Sequence, residues 1–358
     1  MRNGQMTSKL VVIGSNSIHC KRFIQGILDN SNYEVAIVTN LQMPEFADLK
    51  QYTVNFALTN IKAKKQIAEI LNIEKPEIVH IHQANSYAWH SLRAIRSLKF
   101  KPKTILTAWG SDVLLLPKEN RILARIVRYS LINADVITSD SLYMSGVINQ
   151  LLNGVTKPIH TINFGIQELP LKHEIRNKKK LILSNRLHKP LYRIDKIISA
   201  FAGLINNQLL DADYQLIVAA GGEESDNLRK LAQKLGVADN IQFTGMIPYK
   251  ELVEYYKIAR VFVSVPESDG TASSLLEAMA YGCVPVLSNL PANLEWVIND
   301  YNGFISVNLN ELQLEIIKAA KIADNPEAYQ SLYDFNYQLI ENKATLKCNI
   351  NKFIELYQ

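Results

Sequence analysis

Residues Val261–Ser288 read VFVSVPESDGTASSLLEAMAYGCVPVLS, and their pattern predicts the fold of the second half of the 358-residue chain. The apolar, β-branched runs at its two ends predict buried strands, and the part between them predicts a loop and then a helix from Ser273. A strand, a helix and a second strand in this order form a crossover unit of a parallel sheet that is covered on both faces.

The same alternation of short apolar strands and amphipathic helices continues along nearly the whole chain. In the first half the predicted strands are Leu10–Gly14, Glu34–Thr39, Glu77–His82, Thr104–Ala108 and Asp135–Ser139. The polar stretch 167–180 interrupts the pattern, which starts again at Leu181. The chain is therefore predicted to be an α/β protein with two doubly wound, Rossmann-like domains and a cleft between them. Ligands are expected at the carboxyl ends of the strands.

The composition excludes several classes of protein. Hydrophobic residues make up 47% of the chain and charged residues 20%, and no apolar run approaches the ~20 residues of a transmembrane helix. The three cysteines, Cys20, Cys283 and Cys348, lie far apart without a CxxC pair, which excludes a disulfide framework and a cysteine zinc site. Because no secretory signal is recognisable at the start either, we expect a cytoplasmic protein.

The basic residues are concentrated in the first half of the chain. The net charge is +5, and residues 1–170 hold 19 Lys and Arg against 12 Asp and Glu. This excess fits either an ordinary solvated surface or a face that meets anionic phospholipid or a phosphorylated acceptor. The segments that would form such a face are Lys62–Lys65 and the predicted helix Lys118–Arg128. No nucleic-acid partner is predicted.

The loop and helix inside the opening stretch carry polar groups with the spacing of a phosphate site. Free N–H groups and the positive end of the helix dipole are expected near Ser273 and Ser274, next to the loop Asp269–Thr271. Glu277 shares a helix face with these serines, so its carboxylate could accept hydrogen bonds from paired ribose hydroxyls. The residues alone equally fit a plain helix cap at Ser273 with Glu277 as a dipole partner.

The segment Asp269–Ala280, DGTASSLLEAMA, resembles the carboxyl-terminal signature of retaining glycosyltransferase family 4, the group 1 type with the GT-B fold. That signature is an acidic residue, seven others and then Glu. The resemblance implies that Asp269, Gly270 and Thr271 contact the donor sugar and that Glu277 binds the ribose. The sequence departs from the family in having Asp for the usual first Glu and Gly-Thr for the usual Gly-Phe.

Other donor-side residues follow from the same resemblance. Arg186, after the strand in ILSNRL, resembles the arginine that binds the diphosphate, a task suited to the guanidinium fork. The lysine that usually follows is displaced, so Arg193 is the candidate substitute and Lys189 the second. The remaining candidates are Met246 beside the nucleobase in FTGM, Gly14 under the donor phosphates in VVIGSNS, and Ser274 and Leu275 at the helix start.

In the first half, Thr107–Asp112 reads TAWGSD and resembles the family segment that ends the fourth strand and lines the acceptor cleft. Trp109 stands where many relatives have His, and Ser111 and His19 are further candidates. Asp112 could hydrogen-bond or partly deprotonate the attacking hydroxyl, or it could cap the next helix. His80 and His82 share one face of a strand, but without a third ligand of suitable spacing they favour packing over a metal pair.

The resemblance covers nearly the whole chain and implies its domain organisation. It implies an acceptor-binding domain at residues 1–166, a linker at 167–180 and a nucleotide-sugar-binding domain at 181–335. The last segment, 336–358, is expected to be a helix that packs back on the first domain. The turn that leaves the first domain is matched by Asn163-Phe164-Gly165-Ile166.

The implied function is transfer of a sugar from a nucleoside diphosphate-sugar to an acceptor hydroxyl with retention. The catalytic candidates are Asp112, Arg186, Asp269 and Glu277. No metal or other cofactor is expected, because positive groups would stabilise the leaving diphosphate. The expected acceptor is a saccharide or lipid-linked saccharide of envelope polysaccharide assembly, reached by peripheral contact with an anionic membrane. The alternatives are a nucleotide-sugar epimerase of the same fold and a non-catalytic nucleotide-sugar-binding subunit.

Overall fold

The computed structural model describes residues 8–172, 175 and 178–358. The chain forms two compact units, one of Met1–Gln167 with Leu346–Gln358 and the other of Glu168–Thr345. Each unit is built on one parallel sheet with helices on both faces, so the predicted doubly wound α/β architecture is confirmed. Within the described ranges, no helix combines the length and the apolar character that crossing a bilayer requires.

The first unit contains a seven-stranded sheet in the order β3-β2-β1-β4-β5-β6-β7. Its strands are β1 (Lys9–Ile13), β2 (Glu34–Thr39), β3 (Lys50–Thr53), β4 (Ile78–His82), β5 (Lys103–Thr107), β6 (Val136–Ser139) and β7 (Ile159–Thr161). In the central register Leu10 lies between Val35 and Ile78, and all three side chains are buried. Such strands read as continuous apolar runs because helices cover both of their faces.

The helices of this unit are α1 (Ile18–Asn30), α2 (Ala63–Glu74), α3 (Ser86–Ile95), α4 (Ser111–Leu114), α5 (Leu116–Glu119), α6 (Arg121–Asn133) and α7 (Leu142–Leu152). The helix predicted from Lys118 is divided at Asn120, whose side chain accepts hydrogen bonds from the amides of Ile122 and Leu123 and so caps α6. An asparagine in extended conformation before a helix is a strong start signal, and it separates α5 from α6 here.

The second unit contains a six-stranded sheet in the order β10-β9-β8-β11-β12-β13. Its strands are β8 (Lys179–Ser184), β9 (Gln215–Ala219), β10 (Ile241–Gly245), β11 (Ala259–Ser264), β12 (Val284–Ser288) and β13 (Phe304–Ser306). Its helices are α8 (Ile194–Asn206), α9 (Ser225–Lys234), α10 (Tyr249–Ile258), α11 (Ser273–Ala280), α12 (Pro291–Leu294), α13 (Leu312–Asp324) and α14 (Pro326–Lys343). The strand order reverses between β8 and β11, and ligands of such sheets bind at that carboxyl edge.

Two predicted boundaries differ from the structure. Strand β8 begins inside the predicted linker 167–180, of which residues 173, 174, 176 and 177 lie outside the described part. The single helix predicted at 336–358 is two helices, because α14 ends at Lys343 and the last helix, α15, runs from Leu346 to Glu355. Asn336 is buried in the second unit, where it exchanges hydrogen bonds with Asn302.

The last helix belongs to the first unit and packs on α1. The Phe23 and Phe353 rings meet edge to face with centroids 5.2 Å apart, and Ile350 lies against Gly26. A Cβ atom on Gly26 would come within 3.0 Å of the Ile350 side chain. The glycine therefore allows the two helices to approach closely.

Candidate functional site

Three predicted residues meet at the carboxyl edge of the second sheet. Arg186 follows β8, Asp269 lies in the loop after β11, and Ser274 is in the first turn of α11. An Arg186 Nη2 atom lies 2.6 Å from Asp269 Oδ2, and Nη1 donates to Ser274 Oγ at 3.2 Å. The Arg186 guanidinium also lies over the ring of Tyr192, 4.5 Å from its centroid. A fixed cation thus stands at the start of a helix.

The charges of this cluster are largely withdrawn from water. The Arg186 and Asp269 side chains are only 12% and 21% exposed. Burial opposes the charge of Arg186, but Asp269 and Tyr192 outweigh burial and raise its pKa. Burial raises the pKa of Asp269, while Arg186 and the Gly270 amide oppose that rise. The guanidinium therefore stays charged, and together with the positive end of α11 it offers a place for a diphosphate.

Glu277 lies one turn further into α11 and is buried. The Tyr256 hydroxyl donates to Glu277 Oε2 at 3.1 Å, and Asn185 Nδ2 donates to that hydroxyl at 2.7 Å. The cap residue of α11 is Ala272 without a side-chain cap bond, so the alternative of Ser273 as a plain cap is wrong. Leu275 has a buried apolar side chain, and its amide donates to the Ala272 carbonyl. This candidate therefore presents no exposed polar group to a nucleotide-sugar.

The loop between β11 and α11 is hydrogen-bonded to a tryptophan that was not predicted from the sequence. Gly270 is buried, and Thr271 Oγ1 accepts a hydrogen bond from Trp296 Nε1 at 3.2 Å. Trp296 itself is buried just after α12. This contact fixes the loop that the resemblance assigns to the donor sugar.

Arg193 does not occupy the place that was predicted for it beside the diphosphate. Its Nε donates to the Val265 carbonyl at 2.7 Å and its Nη2 to the Pro266 carbonyl at 2.5 Å. The guanidinium therefore braces the loop after β11. Lys189, the second candidate, lines with Arg193 a cavity of about 290 Å³ that also includes Asp195, Glu224 and Glu267. Lys196 lines the cavity as well, so its three cationic side chains face three carboxylates and its lining has no positive excess to attract a phosphate.

The backbone of Arg193 explains the displaced lysine. Arg193 has φ 50° and ψ 42°, the left-handed conformation that glycine adopts most easily. The family pattern has a lysine followed by glycine, so Arg193 takes the place of the glycine in conformation. Tyr192, the residue before it, lies under the Arg186 guanidinium.

The ends of β9 and β10 complete this edge. Met246 follows Gly245 and is 73% exposed, so its side chain is accessible for the predicted contact with a nucleobase.

His188 was not predicted and is buried. Its amide donates to the Gly221 carbonyl, its carbonyl accepts from the Glu224 amide, and its Nδ1 lies 2.8 Å from Ser225 Oγ. His188 therefore ties the loop after β8 to the loop after β9.

In the first unit, Gly14 follows β1 and is buried. A Cβ atom at this position would lie 2.8 Å from Cys20 Sγ and 3.3 Å from His82 Cβ. The close approach that requires glycine here is therefore to the chain's own residues. The packing therefore explains the glycine without a phosphate, and it does not support the prediction that Gly14 lies under the donor phosphates.

Two acceptor-side candidates, His19 and Trp109, lie together after strands of the first sheet. The His19 and Trp109 rings meet edge to face with centroids 5.7 Å apart, and Trp109 Nε1 donates to His82 Nδ1 at 3.2 Å. Burial lowers the pKa of His82 to about 3, so its ring is neutral and can accept this bond. The His80 nitrogens contact Tyr357 and Thr107 hydroxyls, which is the packing role predicted for it. Ser111 is exposed at the start of α4.

Asp112 is buried and joins two strand ends. Its Oδ2 accepts from the Ala84 amide at 2.6 Å and its Oδ1 from the Trp109 amide at 3.0 Å. Burial raises its pKa, and these main-chain bonds oppose the rise. The cap of α4 is Gly110, so Asp112 is not the predicted helix cap. Asp112 therefore links the loops after β4 and β5 through both of its oxygens. This geometry does not favour it as the base that deprotonates the acceptor hydroxyl.

Known protein families match both parts of the chain. Residues 166–335 match a family model described as "Glycosyl transferases group 1", and residues 10–141 match one described as "Glycosyl transferase 4-like". Together the two matches span most of the chain.

Among curated relatives, N-acetyl-α-D-glucosaminyl L-malate synthase of Bacillus anthracis is 22% identical over 261 residues, which cover 70% of this chain and 66% of that protein. The α-monoglucosyldiacylglycerol synthase of Streptococcus pneumoniae is 31% identical over 135 residues, or 38% of this chain and 30% of that protein. The chain thus aligns with just under two thirds of the first relative and under a third of the second.

Solved structures share the fold over the full length. Sucrose-phosphate synthase from Thermosynechococcus elongatus superposes with a TM-score of 0.79 at 14% identity and covers 98% of each chain. Anabaena HepE in complex with UDP superposes with a TM-score of 0.79 at 12% identity and covers 98% of this chain and 99% of that one. At such identities the agreement concerns the fold.

Proposed function

The chain belongs to the group 1, family 4-type glycosyltransferases with the GT-B fold, and we propose that it transfers its sugar with retention of the anomeric configuration. The donor is a nucleoside diphosphate-sugar. In the reaction the bond between the anomeric carbon and the diphosphate oxygen breaks, and a bond to the acceptor oxygen forms. The diphosphate leaves with additional negative charge, which the protein has to stabilise.

The observation that carries this proposal is the cluster of Arg186, Asp269 and Ser274 at the start of α11. Arg186 is a fixed cation whose fork can bind two phosphate oxygens, and the helix start adds its positive dipole end. Glu277, one turn further in, would accept hydrogen bonds from the ribose. Asp269 and the loop held by Trp296 would then contact the sugar.

We propose a UDP-sugar as the first donor to test. The support is that HepE, which shares the fold, has been crystallised with UDP and with UDP-glucose. The purified chain would be incubated with a panel of UDP-, GDP- and ADP-sugars, and the anomeric configuration of the product read by NMR. An α-linked product from an α-linked donor is expected. Inversion would overturn retention, and an epimerised nucleotide-sugar without transfer would establish the epimerase alternative.

The assignment of Glu277 has its own test. Glu277→Gln removes the negative charge at nearly constant volume, and we expect donor affinity to fall at least about tenfold. Glu251→Gln, on the exposed first turn of α10, is the matched control and should leave affinity unchanged. Equal affinities of the Glu277 variant and the unaltered protein would refute the ribose role.

We further propose that turnover needs no divalent metal ion. The positive charge that a metal would bring to the diphosphate is supplied by Arg186 and the start of α11. Activity with EDTA at millimolar excess should equal activity with Mg²⁺. Loss of activity with EDTA and its return with added metal would show that these groups do not suffice.

We propose that the acceptor is a saccharide or lipid-linked saccharide of envelope glycan assembly, met at an anionic cytoplasmic membrane face. The support is a strip on α6 where Arg121, Ile122 and Arg125 are all exposed, with Ile122 at 68%. Basic residues around an exposed apolar side chain suit a bilayer surface with anionic headgroups. The diacylglycerol in the name of the Streptococcus pneumoniae relative also supports a lipid acceptor.

Vesicle sedimentation tests the membrane contact. The chain should bind vesicles of phosphatidylglycerol at low salt and not vesicles of phosphatidylcholine alone. Arg121→Glu with Arg125→Glu should abolish this preference. Lys99→Glu with Lys101→Glu changes the net charge equally at exposed residues before β5 and should preserve it. Equal loss in both double variants would mean that net charge alone drives binding and would refute a docking strip.

A further inference from the structure

Tyr256 contacts both Asn185 and Glu277 at the carboxyl edge of the second sheet, although it lies on another helix. It projects from α10 and is completely buried, and its ring stacks on Tyr281 with centroids 5.9 Å apart and planes 10° apart. Its hydroxyl accepts from Asn185 Nδ2 and donates to Glu277 Oε2, at 2.7 and 3.1 Å. The Ser274 carbonyl lies at 3.4 Å from the same hydroxyl, a longer contact.

The hydroxyl has one hydrogen, and this arrangement directs it to the carboxylate. Because the Asn185 amide donates to the phenol oxygen, the phenol hydrogen is left for Glu277. Burial, reinforced by the nearby Glu277, raises the pKa of Tyr256 well above its usual range, so the hydroxyl remains a donor at physiological pH. The bond from Tyr256 therefore fixes Oε2 of this buried carboxylate.

A buried lysine fixes the two helices that carry this pair. Lys178 Nζ donates to the carbonyl of Tyr256, near the end of α10, at 2.8 Å and to the carbonyl of Tyr281, the cap of α11, at 2.6 Å. A cation near two helix carboxyl ends is favourable. Lys178 therefore joins the carboxyl ends of α10 and α11. The Tyr256 hydroxyl joins the same two helices through Glu277, near Ser274.

We propose that Tyr256 is a positioning residue for Glu277: its hydroxyl, held by Asn185, keeps the carboxylate in the orientation that binds the ribose of the donor. This inference rests on the proposed function, because it takes Glu277 to be the ribose ligand. Tyr256 acts through Glu277 and does not itself touch the donor. Its hydroxyl should therefore matter only for nucleotides that carry ribose hydroxyls.

The test compares UDP and GDP with their 2′,3′-dideoxy counterparts by calorimetry. The unaltered protein should bind its preferred ribonucleotide about 30-fold more tightly than the dideoxy form, as expected for two bonds to a carboxylate. Tyr256→Phe keeps the ring and removes the hydroxyl. It should weaken ribonucleotide binding about tenfold, leave dideoxynucleotide binding nearly unchanged, and so reduce the ratio to a few-fold.

Tyr255→Phe is the matched control, because Tyr255 is the preceding residue of the same helix and its hydroxyl accepts a hydrogen bond from Gln242 Nε2 on β10 at 3.1 Å. It should keep the ratio of about 30-fold. Asn185→Ala, which removes the bond to the phenol oxygen, should reduce the ratio in the same direction and serves if Tyr256→Phe lowers the Tm strongly.

The outcomes separate the two proposals. If Tyr256→Phe weakens both nucleotides by the same factor, or neither, the positioning role is refuted while the donor site stands. If the unaltered protein binds ribo- and dideoxynucleotides equally well, the ribose assignment of Glu277 fails. If it binds no nucleoside diphosphate, the proposed function itself is overturned.

Discussion

Arg186 and Asp269 follow neighbouring strands of the second sheet, and their side chains form an ion pair of 2.6 Å. The pair holds the guanidinium in one orientation before any donor arrives, with Ser274 as a further partner. Preorganised charge stabilises a leaving group without the cost of reorientation at the moment of reaction. Asp269 is therefore placed to orient the cation, in addition to the contact with the sugar that is proposed for it.

Arg186→Lys should reduce kcat/KM about 100-fold although it keeps the positive charge. A lysine cannot contact Asp269, Ser274 and a phosphate with the geometry of the guanidinium fork, and it loses the stacking on Tyr192. Initial rates with a saturating acceptor measure the effect. Arg96→Lys, at an exposed residue of the first unit, is the control and should retain full activity. Near-normal kcat/KM in the Arg186→Lys variant would show that charge alone is needed.

Arg193 allows a test of backbone conformation separate from side-chain contacts. Arg193→Ala and Arg193→Gly both lose the bonds to Val265 and Pro266, but only glycine adopts φ 50° without strain. The glycine variant should be more stable than the alanine variant by about 1 kcal/mol. Urea unfolding followed by the fluorescence of Trp296, in a background with Trp89→Phe and Trp109→Phe, measures this difference. Equal stabilities would mean that the variants relax to another backbone conformation.

The residues that sequence patterns located share a simple property: they lie at strand ends or on one face of one helix. Ser274, Glu277 and the loop with Asp269 could be placed from apolar runs and from the spacing of three to four residues, whereas Arg186 was identified by the family resemblance and by its place after an apolar run. The strands could be predicted because burial on both faces leaves continuous apolar runs in the sequence. These signals are local, so they are readable without the fold.

The residues that sequence patterns missed act across long separations. Trp296 contacts Thr271, 25 residues away, and Asn185 contacts Tyr256, 71 residues away. No periodicity encodes such contacts, because they depend on which loops the sheet order brings together. The left-handed backbone of Arg193 was missed for another reason, since arginine rarely adopts it and gives no local signal.

Gly14→Ala should destabilise the first unit by about 2 kcal/mol, since the added Cβ would lie 2.8 Å from Cys20 Sγ. The double variant with Cys20→Ala removes that sulfur and should recover about 1 kcal/mol relative to the sum of the two single changes. Gly146→Ala is the control, because an added Cβ there meets no atom within 4 Å. In mid-helix it should stabilise by roughly 0.5–1 kcal/mol. Strict additivity of the first pair would refute the steric explanation.

Glu74 predicts how the first unit responds to acid. The buried carboxylate lies 2.8 Å from Lys9 Nζ and accepts a hydrogen bond from Tyr52. Burial alone would raise the pKa of Glu74, but the bonds from Lys9 and Tyr52 outweigh burial and lower its pKa below 4.5. A carboxylate with a lowered pKa stabilises the fold above its unfolded pKa, and that contribution is lost as the pH falls through the folded value.

Glu74→Gln should therefore cost about 2 kcal/mol at pH 7, and the difference from the unaltered protein should shrink as the pH falls below about 4.5. Urea unfolding, followed by Trp89 and Trp109 in a Trp296→Phe background, reports on the first unit. Glu69→Gln removes an exposed carboxylate of the same helix, 3.8 Å from Lys65, and should cost less than about 0.5 kcal/mol at any pH. A difference for Glu74→Gln that stays constant between pH 7 and pH 3.5 would contradict the ion-pair explanation, because it would not follow the charge of the carboxylate.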